Sequence, residues 1–284
     1  MIKLLAPAKI NLTLEVLAKR SDGFHEILSV IQAIGFGDSF SFQPGKEIVI
    51  KCDNKTWSAQ QSLATRAAAL LKQETGYSEG AVIEVSKKIP LSSGLGGDSS
   101  DAATVLSGLN RLWDLNISKG GLAKMGSQLG SDVPFFLFGG TALLRGRGEM
   151  VSPLPSLKKM WLVLLMPPVK RLNNKTALLY KNLSTGHNTD GRMTEELVAL
   201  LTREGQITPD NLYNVFENVA YESFKGLDEY RQRFTQAGAE SVHLAGSGPA
   251  LFTMAKEKAR AKKIYTELKG QELEAYLAET LEAI

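Results

Sequence analysis

The residues of this chain best suited to chemistry lie together in one run, Pro90-Leu91-Ser92-Ser93-Gly94-Leu95-Gly96-Gly97-Asp98-Ser99-Ser100. Its three glycines lack a Cβ, so backbone N–H groups can converge on one concavity. A helix start just beyond adds unpaired donors and a partial positive charge. Together these would hold phosphate. Two better-known phosphate loops do not fit the spacing. The P-loop requires Gly-Lys-Ser/Thr, and the Gly45-Lys46 pair is followed by Glu47. The dinucleotide fingerprint G-x-G-x-x-G, started at Gly94, would place its third glycine at Ser99. By composition alone, a flexible turn ahead of an ordinary capped helix describes the same residues.

The elements that must position this run are legible on both sides. Residues 81–86 form a β-branched stretch that predicts a strand, and Ala102, Ala103, Val105, Leu106 and Leu109 recur at helical spacing. Upstream, residues 2–5 and 10–16 predict two strands, the second with Ile10, Leu12, Leu14 and Val16 alternating against Asn11, Thr13 and Glu15. Further strands are expected at 29–34, 38–42 and 48–52. Ser62 is placed to cap a helix through residue 74 that Gly76 closes, and Ser118 to begin another that ends at Gly130. Asp132, two residues before Pro134, reads as a helix N-cap, and residues 141–144 as a strand. The cluster Ser152-Pro153-Leu154-Pro155-Ser156 is the natural boundary, dividing the chain into residues 1–155 and 156–284. Beyond it the pattern predicts a strand at 161–165, a helix at 175–183, and strands near 241–245 and 251–255. A charged helix at 256–269 and a strand near 273–278 follow. This irregular alternation indicates an α+β fold.

Composition narrows the function classes. Over 284 residues, 43% hydrophobic and 22% charged content describe a globular chain long enough for two domains. A net charge of +3 from 33 basic and 30 acidic residues argues against nucleic-acid binding and suits an anionic small molecule. Cys52 is the single cysteine, which excludes an internal disulfide and a Cys-based zinc site. The longest apolar run, residues 160–169, is too short to span a bilayer and contains Pro167 and Pro168, so a cytoplasmic protein with no membrane partner is expected.

Two further motifs flank the glycine run in sequence order. Ala6-Pro7-Ala8-Lys9-Ile10-Asn11-Leu12 lies near the N-terminus and Leu244-Ala245-Gly246-Ser247-Gly248-Pro249-Ala250-Leu251-Phe252 near the C-terminus. The three together resemble the motifs of the GHMP kinase superfamily. With Arg20-x-Asp22-Gly23-Phe24-His25-Glu26 and Gly130-x-Asp132-Val133-Pro134-Phe135-Phe136, the pattern is most similar to the branch that phosphorylates a cytidine diphosphate-linked polyol during isoprenoid precursor synthesis. Asp98 and Phe24 depart from that pattern, where a glycine and a tyrosine are common.

The resemblance implies a two-domain fold, with an N-terminal α+β nucleotide-binding domain and a smaller, ferredoxin-like C-terminal domain. It implies ATP as phosphoryl donor, held by residues 90–100, with Mg²⁺ carried on the nucleotide and no protein-built metal site. Asp132 would be the catalytic base and Lys9 its cationic partner. Asn11, Phe24, His25, Asp132, Tyr180, Gly246 and Ser247 would bind the acceptor, with Phe24 and Tyr180 sandwiching the base and His25 reading its edge. A monomer or weak homodimer is expected. Taken singly, Asp132 is as well explained as a helix cap, Lys9 as a solvated lysine and Tyr180 as a packing residue. A kinase for mevalonate, homoserine or a sugar, or an inert nucleotide-binding sensor, are the alternatives.

Overall fold

The computed structural model describes residues 1–283. The chain opens with two long strands, β1 (Ile2–Lys19) and β2 (His25–Gly45), then β3 (Ile48–Cys52), α1 (Leu63–Thr75), β4 (Gly80–Ser86) and α2 (Gly97–Leu112). Next come α3 (Lys119–Gly126), α4 (Val133–Phe138), β5 (Thr141–Arg145) and β6 (Met150–Pro153). The second half holds β7 (Trp161–Leu165), α5 (Lys175–Asn182), α6 (Arg192–Thr202), β8 (Tyr213–Asn214), α7 (Glu217–Ser223) and α8 (Leu227–Gln236). It closes with β9 (His243–Leu244), β10 (Leu251–Ala255), α9 (Lys258–Gly270) and β11 (Ala275–Glu279).

Two sheets organise these elements. The first has seven strands along the path β3-β4-β2-β1-β8, with β5 and β6 branching from β2. The second has four strands ordered β11-β7-β10-β9. In chain order that is 4-1-3-2 and antiparallel throughout, the ferredoxin-like arrangement. The two halves are not separate in space. Strand β8 pairs in parallel with β1 through Thr13 and Leu14. The C-terminal residues Thr280 and Ala283 return to bridge Ile34 and Gly139.

The first two strands differ from expectation. Residues 2–5 and 10–16 belong to one continuous strand, and so do 29–34 and 38–42. Pro7 is accommodated by a register shift between Pro7 and Ala8, and Gly37 packs against Ala6, where a Cβ would stand 2.3 Å from the carbonyl oxygen. A proline thereby passes through an otherwise paired strand. The polar face foreseen for β1 is absent as well: Asn11, Thr13 and Glu15 are all buried. Helix α6 covers Thr13 and Glu15, its Thr194 hydroxyl donating to Thr13 Oγ1 at 2.9 Å and its Thr194 N–H to Glu15 Oε2 at 2.7 Å.

The helices follow their caps. Ser62 accepts from Thr65 N–H and Gly76 closes α1 in the left-handed conformation, while Ser118 caps α3. Helix α3 stops at Gly126 rather than Gly130, and Gly126 packs against Val133 of α4, where a Cβ would stand 2.8 Å from Cγ1. Ala102, Ala103, Val105, Leu106 and Leu109 of α2 are all buried in the core beneath the first sheet, as their spacing predicts. Gly108 of the same helix is met by the Phe42 ring, which fixes how closely α2 approaches β2.

Candidate active site

The three motifs interlock around one cleft of about 1150 Å³. Lys9 N–H donates to Leu95 O at 3.0 Å, tying β1 to the glycine loop. Ala250 N–H donates to Ser93 O at 3.1 Å, tying the third motif to the same loop. The turn before β10 is held from below, where buried Asn214 donates to Leu244 O and Gly246 O at 2.9 and 2.8 Å. Gly94 lies at φ +91°, and a Cβ there would sit 2.0 Å from Ala245 O. The glycine is therefore required by the contact between two loops as much as by any ligand.

Within the run, Ser92, Gly94 and Gly96 line the cleft. Leu95 and Ser93 are buried, Leu95 in the core between the halves, and Ser100 is also buried. Helix α2 begins at Gly97, with Gly96 at its N-cap in the left-handed conformation and no side-chain cap. Ser99 and Ser100 thus sit in the first turn rather than at its start. A Cβ on Gly96 would meet Phe136 at 2.8 Å and Lys9 Cγ at 3.0 Å. Substitution there would displace Lys9 itself, not only crowd a phosphate. Asp98 is exposed, and its Oδ1 accepts from Leu63 N–H at 3.1 Å, so it caps α1 from the neighbouring helix.

Lys9 is not a solvated strand lysine. Its side chain is buried, and Nζ donates to Asn11 Oδ1 at 2.7 Å. Asn11 Nδ2 in turn donates to Ser29 Oγ at 2.8 Å, and Ser29 donates to Thr13 O. Alternation along β1 puts Lys9 and Asn11 on one face, and the chain of hydrogen bonds behind them fixes both rotamers. Burial holds the Lys9 ammonium below the usual lysine range, and the nearby Asp132 charge partly restores it. Asp132 does occupy the N-cap position of α4, but its side chain makes no capping hydrogen bond. Its carboxylate lines the cleft beside Ser131 and Arg147.

Phe24, His25 and Tyr180 line the same cleft. His25 and Tyr180 stack at 4.5 Å with 10° between their planes, and Phe216 closes the edge of Tyr180 at 4.9 Å. Phe24 is 53% exposed on the turn after β1, with the Arg147 guanidinium 4.7 Å above its ring. The pairing in this structure is therefore His25 on Tyr180, with Phe24 at the rim. Burial, with Lys19 nearby, keeps the His25 ring below its ordinary value, so it is neutral at pH 7 and can both donate and accept. Burial and the Asp132 charge push the Tyr180 hydroxyl up to about 12.

Known proteins carry the same pattern. Residues 62–140 match the model of the GHMP kinases N terminal domain, and residues 192–274 that of the GHMP kinases C terminal domain. The chain belongs to the GHMP kinases. Along its length it is 46% identical over 281 residues to a 4-diphosphocytidyl-2-C-methyl-D-erythritol kinase of Dehalococcoides mccartyi, covering 99% of each chain. It is also similar to a solved 4-(cytidine 5'-diphospho)-2C-methyl-D-erythritol kinase, with a TM-score of 0.84, 31% identity, and 98% and 99% of the two chains covered. A homoserine kinase from Cytophaga hutchinsonii, at 20% identity and a TM-score of 0.72 over 99% and 95% of the two chains, shares the fold. A GHMP kinase uses ATP as its phosphoryl donor.

Two features of this GHMP kinase escaped the sequence. Lys175, at the start of α5, reaches the cleft and bonds Ser92 O at 3.0 Å and Gly248 O. The other is a buried triad behind the loop, with Lys87 Nζ 2.5 Å from Asp38 and 2.6 Å from Asp101. Asp38 also accepts the N–H groups of Lys88 and Ile89. Both ends of the loop, residue 87 and residue 101, are thereby pinned to β2. No local signal marks these residues, since their partners lie 14 to 83 positions away.

Proposed function

We propose that this GHMP kinase transfers the γ-phosphoryl group of ATP to the 2-hydroxyl of 4-diphosphocytidyl-2-C-methyl-D-erythritol, yielding the 2-phosphate and ADP for isoprenoid precursor synthesis. The observation that carries the reading is that one cleft holds both halves of the chemistry. The phosphate-suited loop, Lys9 and Asp132 line it together with the His25–Tyr180 ring pair.

Phosphoryl transfer asks a protein mainly to align two oxygens and neutralise spreading charge. The N–H groups of the loop and the first turn of α2 receive the nucleotide phosphates. Asp132, free of any capping bond, takes the proton as the acceptor O–H breaks and the new O–P bond forms. Lys9, held by Asn11, places positive charge at the attacking oxygen. The cytosine ring stacks in the aromatic cluster of Phe24, His25 and Tyr180, and the neutral imidazole reads its polar edge. Gly246 and Ser247 bound the acceptor from the third motif.

The described residues contain no cluster of three or more His, Cys, Asp or Glu side chains, so the donor set does not fit a protein-built cation cage. Mg²⁺ would travel with the triphosphate and lend it charge neutralisation. The two units divide near residues 155 and 156, a reading supported by the change of sheet between β6 and β7. No helix among the described residues is long and apolar enough to cross a membrane. The enzyme is read as cytoplasmic, and as a monomer or weak homodimer.

The test is ADP release from ATP with a panel of alcohols, run on the wild type and Asp132→Asn. Turnover should require the cytidine diphosphate-linked acceptor, and Asp132→Asn should lose at least about a hundredfold in kcat with Tm little changed. Equal turnover of mevalonate, homoserine or free methylerythritol would defeat the substrate assignment. An active Asp132→Asn would defeat its role as base.

A further inference from the structure

Lys175 takes no part in the steps above, yet its position is unusual for a lysine. It is the first residue of α5, and its Nζ donates to Ser92 O of the glycine loop at 3.0 Å and to Gly248 O of the third motif. The next residue repeats the grip, the Thr176 hydroxyl meeting that of Ser247 at 2.9 Å. The start of α5 thus clasps the two glycine turns where they pack against one another at the wall of the cleft. Both acceptors of Lys175 are neutral carbonyls, and among the described residues it forms no ion pair with a carboxylate.

The surroundings are cationic. Lys9 and Lys19 from β1, Arg147 from the segment after β5, and Lys181 from α5 itself line the same cleft, against the single carboxylate of Asp132. His25 and Tyr180 are its other titratable groups, and the turns bearing Ser92 and Gly248 contribute none. A lysine has three donors, and two of those on Lys175 are spent on loop carbonyls, leaving one for a ligand. The charge complement for such a group is an oligophosphate lying in the cleft alongside the two loops that it joins.

We propose that Lys175 is a ligand-binding residue for the phosphate chain of the nucleotide, bridging it to both glycine turns. The proposal rests on the reading of residues 90–100 as the nucleotide site. It has a consequence that a purely structural strut would lack. Burial, with the like charge of Lys9 added, brings the Lys175 ammonium down to about 7 in the free protein. At pH 8 most molecules carry it neutral. A polyanion beside it favours the charged form, so nucleotide binding at pH 8 takes up a proton, whereas at pH 6 the proton is already present.

The experiment is titration calorimetry of the full chain with a non-hydrolysable ATP analogue, in buffers of differing ionisation enthalpy, at pH 6 and pH 8. The wild type should take up close to one proton at pH 8, roughly 0.9 for a group moving from a pKa near 7 to full protonation, and almost none at pH 6. Lys175→Met should bind at least about tenfold more weakly and take up no proton at either pH. Lys175→Arg, permanently charged, should keep the affinity but lose the uptake. His25 stays in place in both variants, so a proton taken up by His25 would persist. Unchanged uptake in Lys175→Met overturns the proposal, as does a wild type that binds with no uptake at pH 8. Uptake produced by CDP alone, and abolished in Lys175→Met, would assign the lysine to the acceptor's diphosphate instead and overturn the nucleotide assignment. A wild type that fails to bind the analogue at all refutes the nucleotide-site reading itself.

Discussion

Replacing Lys87 by Met tests whether the buried triad behind the phosphate loop holds that loop in place. The Lys87 side chain is 1% exposed and its two carboxylate partners are fully buried, at 2.5 and 2.6 Å. Methionine keeps most of the volume and removes the charge, leaving Asp38 and Asp101 facing one another with no cation. Removing one partner of a buried ion pair costs about 3–5 kcal/mol, because the remaining charge stays desolvated. Against a typical total of about 5–15 kcal/mol the loss is large.

The effect must also depend on pH. In the wild type, burial drives Asp101 up to about 8, with the neighbouring Asp38 charge adding to the rise and Lys87 opposing it. Asp38 Oδ1 accepts two backbone N–H groups, whereas Asp101 Oδ1 receives no donor, so Asp101 is the carboxyl that keeps the proton. Its folded pKa lies above the unfolded value of 3.8, so between those pH values the native state binds a proton that the unfolded chain has lost. Stability falls as pH rises through that window, by at most about 1.4 kcal/mol per unit for one proton. Without Lys87 nothing opposes the rise of Asp101, so protonation at low pH relieves more of the cost. The destabilisation of Lys87→Met should therefore be about 3–5 kcal/mol at pH 8 and clearly smaller at pH 5, read from urea unfolding at both. ATP affinity should fall as well, because residues 87 and 101 anchor the two ends of the loop. A cost under about 1 kcal/mol at pH 8, or the same cost at both pH values, would refute the argument.

Gly94→Ala should weaken ATP binding at least about tenfold and lower Tm, since a left-handed non-glycine residue costs roughly 1–2 kcal/mol before the clash with Ala245 O is counted; unchanged nucleotide affinity by calorimetry would count against the interlocked loops. Tyr180→Ala should raise the KM of the cytidine diphosphate-linked acceptor about tenfold, the lower end of the roughly 1–3 kcal/mol assigned to a stacked base, while the KM of ATP barely moves. Steady-state kinetics that show both constants rising together would return Tyr180 to a packing role. The uridine analogue should be a poor acceptor, because exchanging an amino donor for a carbonyl leaves buried partners mismatched.

Local chemistry in the sequence determined a good deal of this protein. The strand before the glycine run, the apolar stripe of α2, the Ser62 and Ser118 caps and the Gly76 stop are short-range signals, and each element formed where its residues required. Lys9, Asp132 and the glycine run could be named because their motifs are contiguous. What the tertiary structure decided were the contacts between distant segments. It merged pairs of short strands into β1 and β2, since cross-strand pairing and a register shift carry Pro7 through the sheet. It buried the polar side of β1, because α6 arrives from some 180 residues away to bond Thr13 and one carboxylate oxygen of Glu15. It left the Asp132 carboxylate without a capping bond and buried Lys9 against Asn11. Lys175 and the Lys87 triad had no sequence signature at all. A lysine's charge state and partners are set by burial and by what the fold brings beside it, and neither is written in its neighbours along the chain.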